Sequence, residues 1–154
     1  MDNLQTLLAI EEIKRLKARY FRCVDCKDWS GLQALFTPDA EFDMSGEMRD
    51  DNREDGRVRG AARIAAFIRS AVDDLETVHH GHTPEIDIHT ADSARGIWAM
   101  EDLLRWPPGG PLQSLRGYGH YHETYERLDG DWHIKSSKLT RLRVDVVPAG
   151  TDGE

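Results

Sequence analysis

The stretch from Ala61 to His89, AARIAAFIRSAVDDLETVHHGHTPEIDIH, changes its hydrophobic period partway along, and that change decides the fold. As far as Leu75, the apolar residues Ile64, Phe67, Ile68, Ala71, Val72 and Leu75 return every three or four positions, which places them on one stripe of a helix. From Thr77 onward the period is two, as in a strand whose side chains alternate between faces. Three further segments keep that period: Ser93 to Trp106, Ser114 to Leu128, and Trp132 to Val146. Thr90-Ala91-Asp92 connects the first pair. Pro107-Pro108-Gly109-Gly110-Pro111 separates the next, since no strand can contain it, and Asp129-Gly130 supplies the positive φ of a tight hairpin.

Toward the amino terminus the period is helical again. Leu4, Leu7, Leu8, Ile13, Leu16, Tyr20, Phe21 and Val24 make the apolar side of a helix from Asn3 to about Cys26, with Glu11, Glu12, Lys14, Arg15 and Lys17 on its polar side. Asp28 is placed to cap a short second helix carrying Trp29, Leu32, Leu35 and Phe36, which Pro38 stops. Thr37-Pro38-Asp39-Ala40 then turns into a short strand, Glu41 to Met44. Ser45 to Gly60 holds almost nothing apolar and reads as an exposed or mobile loop, with no sequence support for a lid.

Helices followed by long antiparallel strands predict an α+β fold in which the helices cover one concave sheet face, because neither layer buries its apolar side alone. The expected shape is a cone-shaped barrel: a curled, mixed, mostly antiparallel sheet wrapped around the long first helix, with two further helices. Residues 1–147 form one expected domain and 148–154 a flexible tail. The 154 residues suffice for one core. A net charge of -8 argues against a nucleic-acid partner, and no apolar run approaches the roughly 20 residues of a membrane span. Acidic Asp2, Glu11 and Glu12 stand where a signal peptide would be basic and then apolar, which reads as cytoplasmic. Cys23 and Cys26 lie in a helical stretch with no second pair, and read as reduced structural thiols.

The order of elements accompanies a set of local motifs. Ala9-Ile10-Glu11-Glu12-Ile13-Lys14 leads to Tyr20, Asp25, Asp28-Trp29 and Leu35-Phe36-Thr37-Pro38-Asp39-Ala40. Gly60-Ala61-Ala62 precedes the third helix, His79 stands ahead of Thr83-Pro84-Glu85-Ile86, and Tyr125-Glu126-Arg127 comes before Gly130-Asp131-Trp132. In this order the chain, over about residues 5 to 145, resembles the SnoaL-like domains of the nuclear-transport-factor-2-like superfamily. The resemblance extends to its scytalone dehydratase-like, bile-acid dehydratase-like and dehydrochlorinase-like lyases. It implies loss of water or HCl through a His base oriented by an Asp near the end of the first helix. By position these are His79 and Asp25, with Tyr20 and Asp102 as further catalytic positions. It implies no cofactor.

The residues support that assignment on their own chemistry. Asp25 lies one turn after Phe21 at the edge of an apolar stripe, where a carboxylate requires a partner, and an imidazole held by an Asp presents its other nitrogen as a base. His80 and His82 share one strand face and His79 the other; a one-residue error of phase would exchange His79 and His80. His120 and His122 form another same-face pair that Asp102 could complete as a metal centre. The preferred reading is no metal, with His120, His122 and Tyr118 as polar pocket contacts alongside His80. Gly96, Trp98, Met100 and Asp102 share a face suited to lining a ligand pocket. Arg141 and Arg143 read as an exposed or interfacial salt-bridged pair.

The expected function is therefore a cofactor-independent lyase or isomerase acting on a small hydrophobic hydroxylated molecule, a steroid, polyketide or aromatic compound. A binding or assembly module of the same fold is the alternative, and a polyketide-type cyclase a further one. A curled sheet leaves an apolar convex face, so a homodimer or homotrimer is also expected.

Overall fold

The computed structural model describes residues 1–45 and 56–150. Helix α1 spans Asn3–Asp25, α2 Trp29–Ala34 and α3 Ala61–Val72; the strands are β1 Phe36–Asp43, β2 Arg57–Arg59, β3 Glu76–Thr90, β4 Ser93–Arg105, β5 Leu112–Leu128 and β6 Asp131–Pro148. The sheet runs in the order β2-β1-β6-β5-β4-β3, with β1 parallel to β6 and every other pair antiparallel. It is thus the mixed, mostly antiparallel sheet expected. It is not closed, since β2 and β3 remain edges. Among the described residues no helix is long and apolar enough to cross a membrane.

Local chemistry sets the ends of the elements. Asp2 accepts from the Gln5 N–H at 2.8 Å while the Gln5 side chain accepts from the Asp2 N–H at 3.0 Å, a reciprocal cap on α1. The Asp28 carboxylate accepts from the Gly31 N–H and caps α2, as anticipated. Asp129 and Gly130 take φ of 52° and 88°, the turn geometry expected of that dipeptide.

The region around β1 differs from the sequence reading in two respects. Phe36 belongs to β1 and not to α2, because it pairs with Ile134 of β6; the ladder then breaks and resumes at Glu41, leaving Pro38 in an irregular stretch that needs no N–H. Within the segment read as loop, Arg57–Arg59 forms an edge strand against Glu41–Asp43. Ion pairs from Arg57 and Arg59 to Glu41 accompany this strand, so its pairing left no alternation of apolar residues to detect. The remainder of that loop, 46–55, lies outside the described residues.

The core sits between α1 and the concave sheet face. Ala9, Ile13, Leu16, Tyr20 and Val24 are buried on α1, and full burial of Ile13 or Leu16 contributes about 1.5–3 kcal/mol each. Leu4, Leu7 and Leu8, read as part of that stripe, are instead exposed, so the buried face begins at Ala9. Lys17 corrects the polar side of the helix. Four residues after Ile13 and three before Tyr20, it shares the buried face and pairs with Glu123 of β5 at 2.5 Å, both side chains being 0% exposed. Ser137 Oγ and Tyr125 Oη also donate to the Glu123 carboxylate, and Trp98 Nε1 donates to Tyr125 Oη.

A buried charge that loses its partner costs more than the intact pair contributes. Lys17→Met should lower unfolding free energy by about 3–5 kcal/mol in urea denaturation, and adding Glu123→Gln should recover part of that loss.

Candidate active site

Between α1, α3 and the concave face lies a cavity of about 180 Å³ with a largely apolar lining. Tyr20 and Val24 reach it from α1, Phe67 and Ile68 from α3, His79 from β3, Asp102 from β4, Tyr121 from β5, and Leu139 and Arg141 from β6. A larger groove of about 470 Å³ near Val78, Leu115 and Val147 has no imidazole–carboxylate pair in its wall, so the smaller cavity is the chemical candidate.

Asp25 ends α1 and its carboxylate stands behind His79. His79 Nδ1 lies 2.6 Å from Asp25 Oδ1, and the His79 backbone N–H donates to Oδ2 at 2.9 Å. Thr77 Oγ1 donates to Oδ1 at 2.9 Å. The imidazole side chain is 10% exposed and the carboxylate 23%. Burial pulls the Asp25 pKa upward, but the hydrogen bonds from the His79 ring, the His79 backbone and Thr77 outweigh it and leave the carboxyl below its ordinary 3.8. An ionised carboxylate only accepts, so Nδ1 carries the proton and Nε2 is the ring atom left as a base.

Phe21 lies parallel to the His79 ring, 11° between planes and 6.2 Å between centroids. Gly81 permits this, since a Cβ there would come within 2.7 Å of the Phe21 ring. Phe21, Tyr20 and Tyr121 also surround the Lys17 ammonium, with Tyr121 nearest at 3.5 Å from ring centroid to Nζ. Burial pushes the Tyr121 phenol well above 10, with Tyr20, Asp102 and Glu123 adding to the rise and Arg141 opposing it, so the hydroxyl stays protonated as a donor.

Opposite, Asp102 receives two bonds from Arg141, Nη1 to Oδ1 at 2.7 Å and Nη2 to Oδ2 at 2.9 Å. Gly117 makes room for the pair: a Cβ there would collide with Arg141 Nη1 and Asp102 Oδ1. Asp102 is also the cross-strand partner of His79. Arg141 and Arg143, read as one exposed or interfacial salt-bridged pair, are separated by the register shift that skips Leu142. Arg141 turns inward, while Arg143 is exposed and pairs with Asp145.

The sequence candidates therefore divide. Tyr20, His79 and Asp102 meet at the cavity with Asp25 behind His79. Trp98 and Met100 are buried on the expected face but do not line the cavity. His80 is exposed and contacts Glu101 at 3.4 Å, on the face away from Asp25. Tyr118, His120 and His122 correct the phase of β5. They point outward, His122 bonding Thr140, whereas Gly117, Gly119, Tyr121, Glu123 and Tyr125 point in. Counting back from the Asp129-Gly130 turn through buried Trp132 would have found that phase. Among the described residues no group of three or more metal-ligating side chains is gathered.

Fold and cavity together define a helix-covered α+β domain with a half-buried imidazole–carboxylate pair. A family model described as a SnoaL-like domain matches residues 5–138, and the chain belongs to that family. It is 26% identical over 135 residues to a probable cyclase of Gibberella zeae, covering 84% of this chain and 89% of that protein. Among solved structures, a type 2 hexachlorocyclohexane dehydrochlorinase aligns with a TM-score of 0.81 at 21% identity, over 99% of this chain and 98% of that one. A scytalone dehydratase-like protein of Novosphingobium aromaticivorans aligns at 0.79 and 19% identity, over 99% and 100%. At these identities the structural likeness is one of fold.

Because its folded pKa is depressed, Asp25 stabilises the fold at pH above 3.8, and that contribution disappears as pH falls through the lower folded value. The stability difference between wild type and Asp25→Asn should accordingly be largest near neutrality and shrink below pH 3.8 in denaturation series.

Proposed function

We propose that the chain is a cofactor-independent lyase that removes water, or a comparable leaving group, from a small hydrophobic molecule. The observation that carries this reading is His79, held through Nδ1 by Asp25 while its ring lines a largely apolar cavity. In such a site Nε2 takes a proton from carbon; the C–H electron pair becomes the new double bond, the C–O bond breaks, and the departing oxygen is protonated to water. Asp25 stabilises the imidazolium without accepting its proton, as its depressed pKa favours. The hydroxyl of Tyr121 or Tyr20 and the Arg141 guanidinium border the same space and suit a departing oxygen or a developing enolate.

At about 180 Å³ the cavity is below the 300–1,000 Å³ usual for drug-sized ligands, which favours a compact single-ring substrate over a steroid. A cyclase is the second reading, supported by the relative from Gibberella zeae; the same base would then generate a carbon nucleophile. Self-association as a dimer or trimer is part of the proposal, motivated by Leu142, Val144, Val146 and Val147, which are exposed near the end of β6.

A panel of hydroxylated and halogenated cyclic compounds assayed for loss of water or acid should reveal turnover. His79→Ala and Asp25→Asn should each lower kcat by about 10²–10⁴ while the circular dichroism spectrum is kept. Tight binding of panel members with no turnover, unchanged by His79→Ala, would instead mark a binding module.

A further inference from the structure

Helix α1 ends in an unusual way for its sequence. The Asp28 N–H donates to Cys23 O at 2.8 Å and the Lys27 N–H to Val24 O at 3.2 Å, the paired bonds of a Schellman ending. The position just past the helix end in that motif takes a left-handed backbone and is most often glycine; here it is Lys27, at φ 60°. The strain of a side chain at this point brings an ammonium group to one place. Lys27 Nζ donates to the carbonyl of Val72, the last residue of α3, at 2.8 Å and to Thr77 Oγ1 at 3.2 Å.

The second bond has a consequence for hydrogen direction. A threonine hydroxyl has one proton, and an ammonium only donates, so Thr77 Oγ1 must accept from Lys27 and spend its own proton on Asp25 Oδ1, 2.9 Å away. We propose that Thr77 and Lys27 are positioning residues of the His79–Asp25 pair, Lys27 fixing the Thr77 hydroxyl and Thr77 fixing the carboxylate that holds the imidazole. This rests on the proposed role of His79 as a base. Both groups place positive charge or a positive dipole end beside Asp25. They offset part of the carboxylate's pull on the ring and favour the neutral imidazole that a base requires. Burial holds the Lys27 pKa below its ordinary value, although the neighbouring charges of Asp25 and Asp73 raise it.

The other groups around His79 are accounted for. From α1 come the Phe21 ring and Asp25, from β4 Asp102 as cross-strand partner, and from β6 Arg141, which neutralises Asp102. Tyr20 and Tyr121 share the cavity wall. His80 and Glu101 face the opposite side. Among the described residues, Thr77 and Lys27 are the groups that reach the pair from behind.

The test is the titration of the His79 ring followed by NMR of its Cε1–H in the intact protein, assigned with His79→Ala and needing no substrate. Thr77→Val and Lys27→Gly should each raise the midpoint by about half a pH unit, and Thr77→Ser and Lys27→Arg should return it to the wild-type position. Glycine relieves the strained backbone, so Lys27→Gly should remain folded. Midpoints unchanged in both Thr77→Val and Lys27→Gly would overturn the proposal, as would equal shifts in Lys27→Gly and Lys27→Arg. If the shifts appear but no compound is turned over, the positioning stands and the lyase reading fails. Where turnover is found, the acid limb of kcat/KM should move with the NMR midpoint.

Discussion

Lys17 and Glu123 meet where neither touches water. Two charges removed from solvent are tolerated only with each other and with further donors, and here Ser137, Tyr125 and, through Tyr125, Trp98 complete the set. The pair ties α1 to the middle of β5 and so sets the rotation of the helix. With Lys17 pointing at Glu123, Tyr20 and Val24 turn toward the cavity, Phe21 toward His79, and Asp25 toward the start of β3. A helix held by apolar contacts alone could turn a few degrees at small cost, because such contacts have little direction. The ion pair and its rings supply the direction.

The site above it is arranged in the same manner, by pairing charges and leaving the space between them apolar. Asp102 and Arg141 neutralise one another on one wall; Asp25, with His79 and Thr77, occupies the other. Among the described residues, the polar groups lining the cavity besides Asp102 are an imidazole, two phenols, an indole and a guanidinium already engaged with that carboxylate. Such a lining is suited to moving one proton on an uncharged molecule. It requires close backbone approach at two places, and glycine stands at both: Gly81 beneath Phe21, and Gly117 beneath the Asp102–Arg141 pair.

Much of the architecture was legible because periodicity is a local property. The helical stripe of Ile64, Phe67 and Ile68, the period-two segments after Thr77, the Asp28 cap and the Asp129-Gly130 turn each announced themselves within a few residues, and all were found. That His79 and His80 face opposite ways also followed from alternation along one strand, whereas the choice of His79 as the partner of Asp25 came from the family resemblance. Alternation failed where a strand carries polar groups on both faces. On β5 the outward set of Tyr118, His120 and His122 looked as chemical as the inward set of Tyr121, Glu123 and Tyr125.

The sequence by itself thus determined the order and type of the elements and, through the order of its motifs, the family and the candidate pairing of His79 with Asp25 that the resemblance implies, since these depend on spacing along the chain. Tertiary structure alone decided the rest: the burial of Lys17, the inward turn of Arg141, and the contact of Lys27 with Thr77. Each joins residues that are far apart in sequence, and each depends on a register shift, a helix rotation or a left-handed residue. Such features move a side chain from one face to the other without altering the pattern of residues that encodes it.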